Sequence, residues 1–370
     1  MVRVGSRTLL QEKLRFSIAV GGVALAVALM LVLAGMYAGI NRQITAYLDN
    51  APADVVVAQQ GTRNFLGASS RVPSSAIPAV RDVEGVERVS GVIAQYVVLE
   101  LHGRKEFTLL VGYRPDEGTG PWAVTEGTAD IGDDEVVLDE ALARLRGLGV
   151  GEDLEILGRE FRVAGLSHGS STFMTGTAFV TFDSASDVAA TAGNPSFLLV
   201  ETAPGHEAGQ VAERIDDALP DVSASSRTRV DANDIRLFAA ILKGPVGFMV
   251  GVAFLVGVML VGLTIYTATV ERSKDYGALK AIGIRNRRLY AIVLEQALLS
   301  SAVGSGLGIA LAFASGAVIE YLNPRFLIAI GWWLPAAVVG VALLMTVLAA
   351  LAPAFAVARI DPAVAFKRGV

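Results

Sequence analysis

The chain has 370 residues, of which 53% are hydrophobic and 18% charged, too apolar for an ordinary soluble protein and too charged to lie in a membrane throughout. It contains no cysteine, which excludes disulfides, thiolate metal sites, thiol catalysis and cysteine-linked lipid anchors. The net charge of -5 hides two unlike parts: residues 41–243 hold 17 Lys+Arg against 30 Asp+Glu, and the remainder holds 14 against 6, so the two parts are expected to face different compartments.

In chain order, a segment over 1–15 with Arg3, Arg7, Lys13 and Arg15 precedes an uncharged run over 16–40. At about 1.5 Å per residue a helix of that length crosses a hydrocarbon core of about 30 Å. The run exceeds the apolar core of about 7–15 residues usual in a signal peptide, and no clear A-x-A site follows it, so a retained span is expected. Residues 41–243 alternate strand-like runs with helix and turn signals and contain no low-complexity tract. This predicts a folded α+β domain of roughly 200 residues, in one lobe or two. Strands are expected at 55–58, 97–101, 107–111, 135–138, 153–157 and 197–201, and helices over 75–83, 139–146 and 209–219, the last stopping at Pro220. Ile235, Phe238, Ala239 and Leu242 recur at i, i+3, i+4, i+7, so a helix over 231–243 is expected to continue the second span outward. Residues 39–48 would extend the first span likewise, giving the domain a two-helix stalk.

Apolar runs at 244–270, 289–319 and 332–357 complete four spans, which puts both termini on one side. Lys and Arg choose the side. Arg272, Lys274, Lys280, Arg285, Arg287 and Arg288 lie in 271–288, and Arg359, Lys367 and Arg368 in 358–370, so both segments and the N-terminus are expected in the cytoplasm. The acidic domain and the turn 320–331 then lie outside, with Trp332 and Trp333 at the depth of an interfacial aromatic belt.

The segment between the second and third runs reads Glu271-Arg272-Ser273-Lys274-Asp275-Tyr276-Gly277-Ala278-Leu279-Lys280-Ala281-Ile282-Gly283. It predicts a short charged helix with Tyr276, Leu279 and Lys280 on one face and Gly283 ending it. A basic loop that only sets orientation and meets anionic headgroups would account for the charge, but not for the Gly and Ala positions, which leave room for a partner's surface. Here the sequence resembles the FtsX/MacB permease superfamily, whose loop reads approximately E-R-x-x-E-I-G-x-x-K-A-x-G. Glu271, Arg272, Gly277, Lys280, Ala281 and Gly283 match it, while Asp275 and Tyr276 stand where Glu and Ile are usual. The resemblance implies that this segment docks on an ATP-binding subunit and transmits its closure to the membrane.

Other parts agree. Arg15 followed by 17–22 is similar to the family's entry into the first span, and the tail matches its closing pattern at Pro353, Ala354, Pro362 and Ala365, with Val357 and Phe366-Lys367 departing from it. Val136-Val137-Leu138, 148–152 and 161–165 resemble elements of the family's periplasmic core domain. Glu295 matches a family glutamate, with either a structural pairing or a snorkelling role open. Ser300, Gly304, Gly308 and Ala312 follow at i+4 spacing, a small-residue ridge suited to close helix packing. No phosphate-binding G-x-x-x-x-G-K-[ST] exists, so ATP hydrolysis is expected on another chain. His102, His168 and His206 are widely spaced, and Ser167-His168-Gly169-Ser170-Ser171, lacking a positioned acid, reads as a polar loop.

The expected architecture is therefore four transmembrane helices, an all-α membrane part, with an inserted α+β extracytoplasmic domain. The resemblance implies a non-catalytic permease subunit of an ABC transporter in the bacterial inner membrane. It binds no cofactor itself, ATP and Mg belonging to the partner. It would work with two ATP-binding subunits and a second permease copy or paralogue, in contact with membrane lipid, with no role for nucleic acid and room for an extracytoplasmic adaptor. Export or extraction of a substrate is one expectation; the alternative is a signal transmitter activating an outside partner such as a cell-wall hydrolase, a class that usually carries a smaller domain.

Overall fold

The computed structural model describes residues 13–172 and 175–358; the expectations for 1–12 and 359–370, among them the tail matches at Pro362 and Ala365, lie outside the described residues. Helix α1 (Lys13–Asn50) leads to β1 (Val55–Gln59), α2 (Ala76–Arg81), β2 (Val86–Leu101), β3 (Arg104–Tyr113), β4 (Val124–Gly127), β5 (Glu135–Asp139) and α3 (Glu140–Arg146). Strands β6 (Asp153–Ile156), β7 (Arg159–Ser167) and β8 (Gly176–Thr181), α4 (Phe182–Val188), β9 (Phe197–Thr202), α5 (Ala208–Ala218) and β10 (Val222–Ser226) follow. The chain ends in α6 (Arg227–Glu271), α7 (Ser273–Ala281), α8 (Asn286–Leu322) and α9 (Trp333–Ala358). It divides into an α+β unit, Gly39–Leu242 with Ile319–Leu327, and a helical unit, Met1–Ala38, Lys243–Val318 and Ile328–Val370.

All six expected strands and all three expected helices of the α+β unit form, with bounds shifted by a few residues. Four strands, β4, β7, β8 and β10, one helix, α4, and the first half of β2 were not expected. The 16-residue β2 joins two lobes: Val86–Val92 pairs with β9 and Ile93–Leu101 with β3. On one side the order is β10-β1-β9-β2, and Val55, Val57, Leu198 and Val200 meet Val211 and Ile215 of α5 in one core. On the other, β2-β3-β8-β5-β7 is closed by β6, which pairs with both β7 and β2, around Leu99, Leu110, Leu138, Phe161 and Val163. Short helices have readable ends: Asp139 caps α3 by accepting from the Leu142 N–H at 3.0 Å, and Gly147, at φ +66°, ends it.

Two long helices run on into this unit. The Tyr47 hydroxyl of α1 donates to the Thr119 carbonyl at 2.9 Å, and its ring stacks on Phe65 with centroids 5.2 Å apart. Asp234 of α6 is buried and accepts from Asn64 Nδ2 (3.0 Å) and from the N–H groups of Phe65 (3.1 Å) and Leu66 (3.2 Å). One short loop is therefore held by both helices.

The helical unit contains four helices long and apolar enough to cross a membrane. Their most apolar stretches are 61% buried in α1 but 17%, 28% and 39% in α6, α8 and α9, so α1 is the centre of the packing and α6 lies outermost. Val23, Val27 and Leu31 of α1 form the core with Val261, Val293, Ala297, Ala342 and Met345. Pro245 lies inside α6, where it removes one helical N–H without ending the helix.

Candidate functional site

The segment expected to couple lies between α6 and α8. Its helix α7 ends in a local hydrogen-bond pattern that accounts for Gly283. The Gly283 N–H donates to the Lys280 carbonyl at 2.9 Å and the Ile284 N–H to the Leu279 carbonyl at 3.1 Å, a reversal that requires a left-handed residue between them. Gly283 has φ +90° and open space where a Cβ would stand. The sequence therefore places a sharp, side-chain-free tip on this segment.

Its residues divide by face. Tyr276 is buried as part of the helical core, Gly277 beside it is buried, and Leu279 packs against the same core. Lys280 is half-buried and its Nζ donates to the Ala358 carbonyl at 2.8 Å, placing a cation on the last described turn of α9, where helix carbonyls concentrate partial negative charge. Arg272 is half-buried as well. The other face shows Glu271, Lys274, Asp275, Ala281 and Gly283, with Ile282 77% exposed at the tip. Of the eight residues expected to couple, Tyr276 and Gly277 thus face inward, the aromatic ring being part of the buried helical core. Ile282 was missed. Its exposure was signalled only by an apolar residue standing directly before the terminating glycine.

On α8, Ser300, Gly304, Gly308 and Ala312 are all buried. A Cβ on Gly304 would lie 2.6 Å from Val23 Cβ and 2.9 Å from the Val20 carbonyl; one on Gly308 would lie 2.7 Å from the Ala24 carbonyl and from Val27 Cβ. The ridge lets α8 approach the backbone of α1, and neighbouring Ser301 and Ser305 are buried with it. Glu295 is exposed. In the 167–171 loop the Ser170 hydroxyl donates to Asp139 at 3.0 Å and the Ser171 hydroxyl to Asp139 at 2.8 Å, while His168 pairs with Glu140. Histidine and serines are held by different carboxylates, an arrangement that orders a loop and activates no nucleophile.

The family model of the MacB-like periplasmic core domain matches residues 16–218, more than half of the chain, and that of the FtsX-like permease C-terminal matches residues 247–362. The chain belongs to the FtsX/MacB-type permeases of ABC transporters. Relatives include an uncharacterized ABC transporter permease of Mycobacterium tuberculosis (strain ATCC 25618 / H37Rv), 27% identical over 368 residues, 96% of each chain. A second permease of that strain is 24% identical over 376 residues, 99% of each. Among solved structures, the periplasmic region of MacB from Actinobacillus actinomycetemcomitans aligns with TM-score 0.38 and 12% identity over 50% of this permease and 94% of that chain. The extracellular domain of the noncanonic ABC-type transporter YknZ from Gram-positive bacteria aligns with TM-score 0.36 and 13% identity over 47% and 99%. The FtsX-like match takes in α7 and the α8 ridge; the MacB-like match takes in α1 and most of the α+β unit. A permease of an ABC transporter implies an ATP-binding subunit as partner.

Proposed function

We propose that this permease couples ATP hydrolysis on a separate subunit to a rearrangement of its α+β domain outside the membrane, and so exports or extracts a substrate. The observation that carries the reading is the two-faced segment 271–283. Tyr276 and Lys280 tie its back to the helical core, while Glu271, Asp275, Ala281, Ile282 and Gly283 offer a partner an exposed front. A push on that front is delivered to α6 and α8 because the back is packed.

The Lys/Arg distribution supports a cytoplasmic position for this segment and both termini, in the inner membrane, with the acidic domain outside. The α+β unit, with two cores, favours export or extraction over signal transmission, because the family resemblance implies smaller domains in transmitters. A second permease copy, and an outside adaptor where one exists, would complete the assembly, and no cofactor is assigned to this chain.

The test is co-expression with the ATP-binding subunit. Ile282→Asp is expected to leave membrane level and melting temperature unchanged, since its side chain is exposed, while Gly283→Trp also strains a backbone at φ +90° and is compared at matched membrane level; both should lower partner-stimulated ATP hydrolysis at least about tenfold, the equivalent of about 1.4 kcal/mol of docking energy. The purified permease alone should not hydrolyse ATP. Full stimulation in both variants would leave the segment as a topology signal only.

A further inference from the structure

The turn between α8 and α9 does not belong to the helical unit; Ile319–Leu327 falls in the α+β unit. Two sets of contacts hold it there. On the α1 side, Gln43 Nε2 donates to the Arg325 carbonyl at 2.8 Å, and a side chain on Gly39 would overlap the Leu327 carbonyl. On the domain side, Arg325 Nη2 donates to Glu106 Oε2 at 2.6 Å, and Arg146, on the last turn of α3, meets the other oxygen of the same carboxylate. The three side chains are 15%, 6% and 16% exposed for Arg325, Glu106 and Arg146.

Glu106 is out of place in a strand of this pattern. It stands on the inward row of β3, opposite Leu99 of β2, where the neighbouring inward positions are Thr108 and Leu110. Burying a carboxylate there is costly, and a well-packed apolar side chain serves a fold at least as well. The cluster is also unbalanced, with two guanidinium groups on one carboxylate and the Nε atoms of both arginines without a hydrogen-bond partner among the described residues. A buried ion cluster of this kind does little for stability in itself, but it accepts only one partner geometry. That geometry brings in a residue 219 positions away in the chain.

We propose that Glu106 is a positioning residue: through Arg325 it clamps the α8–α9 turn to the larger lobe, so that the outer domain has a third mechanical connection to the membrane helices besides α1 and α6. The source of motion rests on the ATP-driven reading above, but the clamp itself does not. Any displacement of the α8–α9 hairpin is then delivered to β3 and α3 directly, at a place the two stalk helices do not touch through Tyr47 or Asp234.

The clamp is tested in the full-length permease without nucleotide or partner, by hydrogen exchange with mass spectrometry. Glu106→Gln should speed exchange of the amides of 323–327 at least about tenfold. Arg325→Ala, a change in the turn that leaves the β3 core intact, should reciprocally speed exchange at 104–108 and 144–148, because coupling between two sites acts in both directions. The charge-swapped Glu106→Arg/Arg325→Glu pair keeps two arginines and one glutamate and should recover at least half of the lost protection, which loss of packing alone would not allow. Exchange at 323–327 within twofold of wild type in Glu106→Gln, or an effect of Arg325→Ala confined to its own turn, would overturn the proposal. Neither result bears on whether ATP drives the permease.

Discussion

Gly304, Gly306 and Gly308 share one helix and differ in what lies opposite each. Ideal Cβ atoms on Gly304 and Gly308 would meet Val23, Val27 and backbone carbonyls of α1 below 3 Å, whereas Gly306 has open space. Backbone cannot step aside as a flexible side chain can, so Gly308→Ala should cost about 1–3 kcal/mol as overpacking. Gly306→Ala should gain about 0.5–1 kcal/mol from helix propensity. Melting temperatures of the detergent-solubilised permease distinguish the two, and equal effects at both positions would dismiss the ridge as a packing surface. The i+4 spacing made this ridge legible before any coordinates. That it packs on α1 rather than facing lipid was not legible, because small residues suit either side of a membrane helix.

At the scale of single elements, α6 carries a load that its apolar stretch does not suggest. Its first turns, in the α+β unit, hold Asp231 and Asp234, and Arg227 at its start reaches Asp49 of α1 at 3.1 Å. Burial pushes the Asp234 carboxyl up to about 6, against the pull of its Asn64, Leu66 and Phe65 hydrogen bonds. Burial, then the nearby Asp49 charge, raise Asp231 to about 6, with Arg227 opposing. Both lie above the ordinary aspartate value of about 3.9, so between about pH 4 and 6 the folded state holds protons that the unfolded chain has lost. The stability these groups contribute is full below that window and is lost as pH rises through it. The α+β unit should therefore melt higher at pH 5 than at pH 7, and the Asp231→Asn/Asp234→Asn variant should show a smaller difference. An unchanged pH dependence in that variant would refute the assignment. The i, i+3, i+4, i+7 pattern over 231–243 revealed a helix running into the span; the loop that Asp234 grips, at 64–66, carries no local mark of its partner.

For the whole molecule, the prediction concerns sidedness. A reporter inserted near Gly118, an exposed residue in a turn of the α+β unit, should be active only outside the cytoplasm, and one fused after Val370 only inside. Cytoplasmic activity near Gly118 would contradict the four-span arrangement. The reason is electrostatic: the acidic 41–243 stretch and the basic segments beside the helices differ in sign, and basic residues in short loops are retained in the cytoplasm.

By itself the sequence determined the four apolar helices, the division of charge, the α+β character of the long segment and the turn at Gly283. Each of these follows from composition or from spacing within a few residues, so no distant partner is needed to specify it. Tertiary structure decided the rest. Strand β10, Val-Ser-Ala-Ser-Ser, has little strand character and forms because β1 pairs with it from Val55 opposite Ser226 to Gln59 opposite Val222. Tyr276 turns inward because it joins a buried core built from residues of the long helices far from it in the chain, Leu289, Val293 and Val357 among them. Glu106 stands just before the run expected as a strand at 107–111, and nothing near it in the chain announces that Arg146 and Arg325 will arrive to bury it. Burial and pairing are properties of the folded path, and a residue's neighbours along the chain do not say which distant segment will cover it.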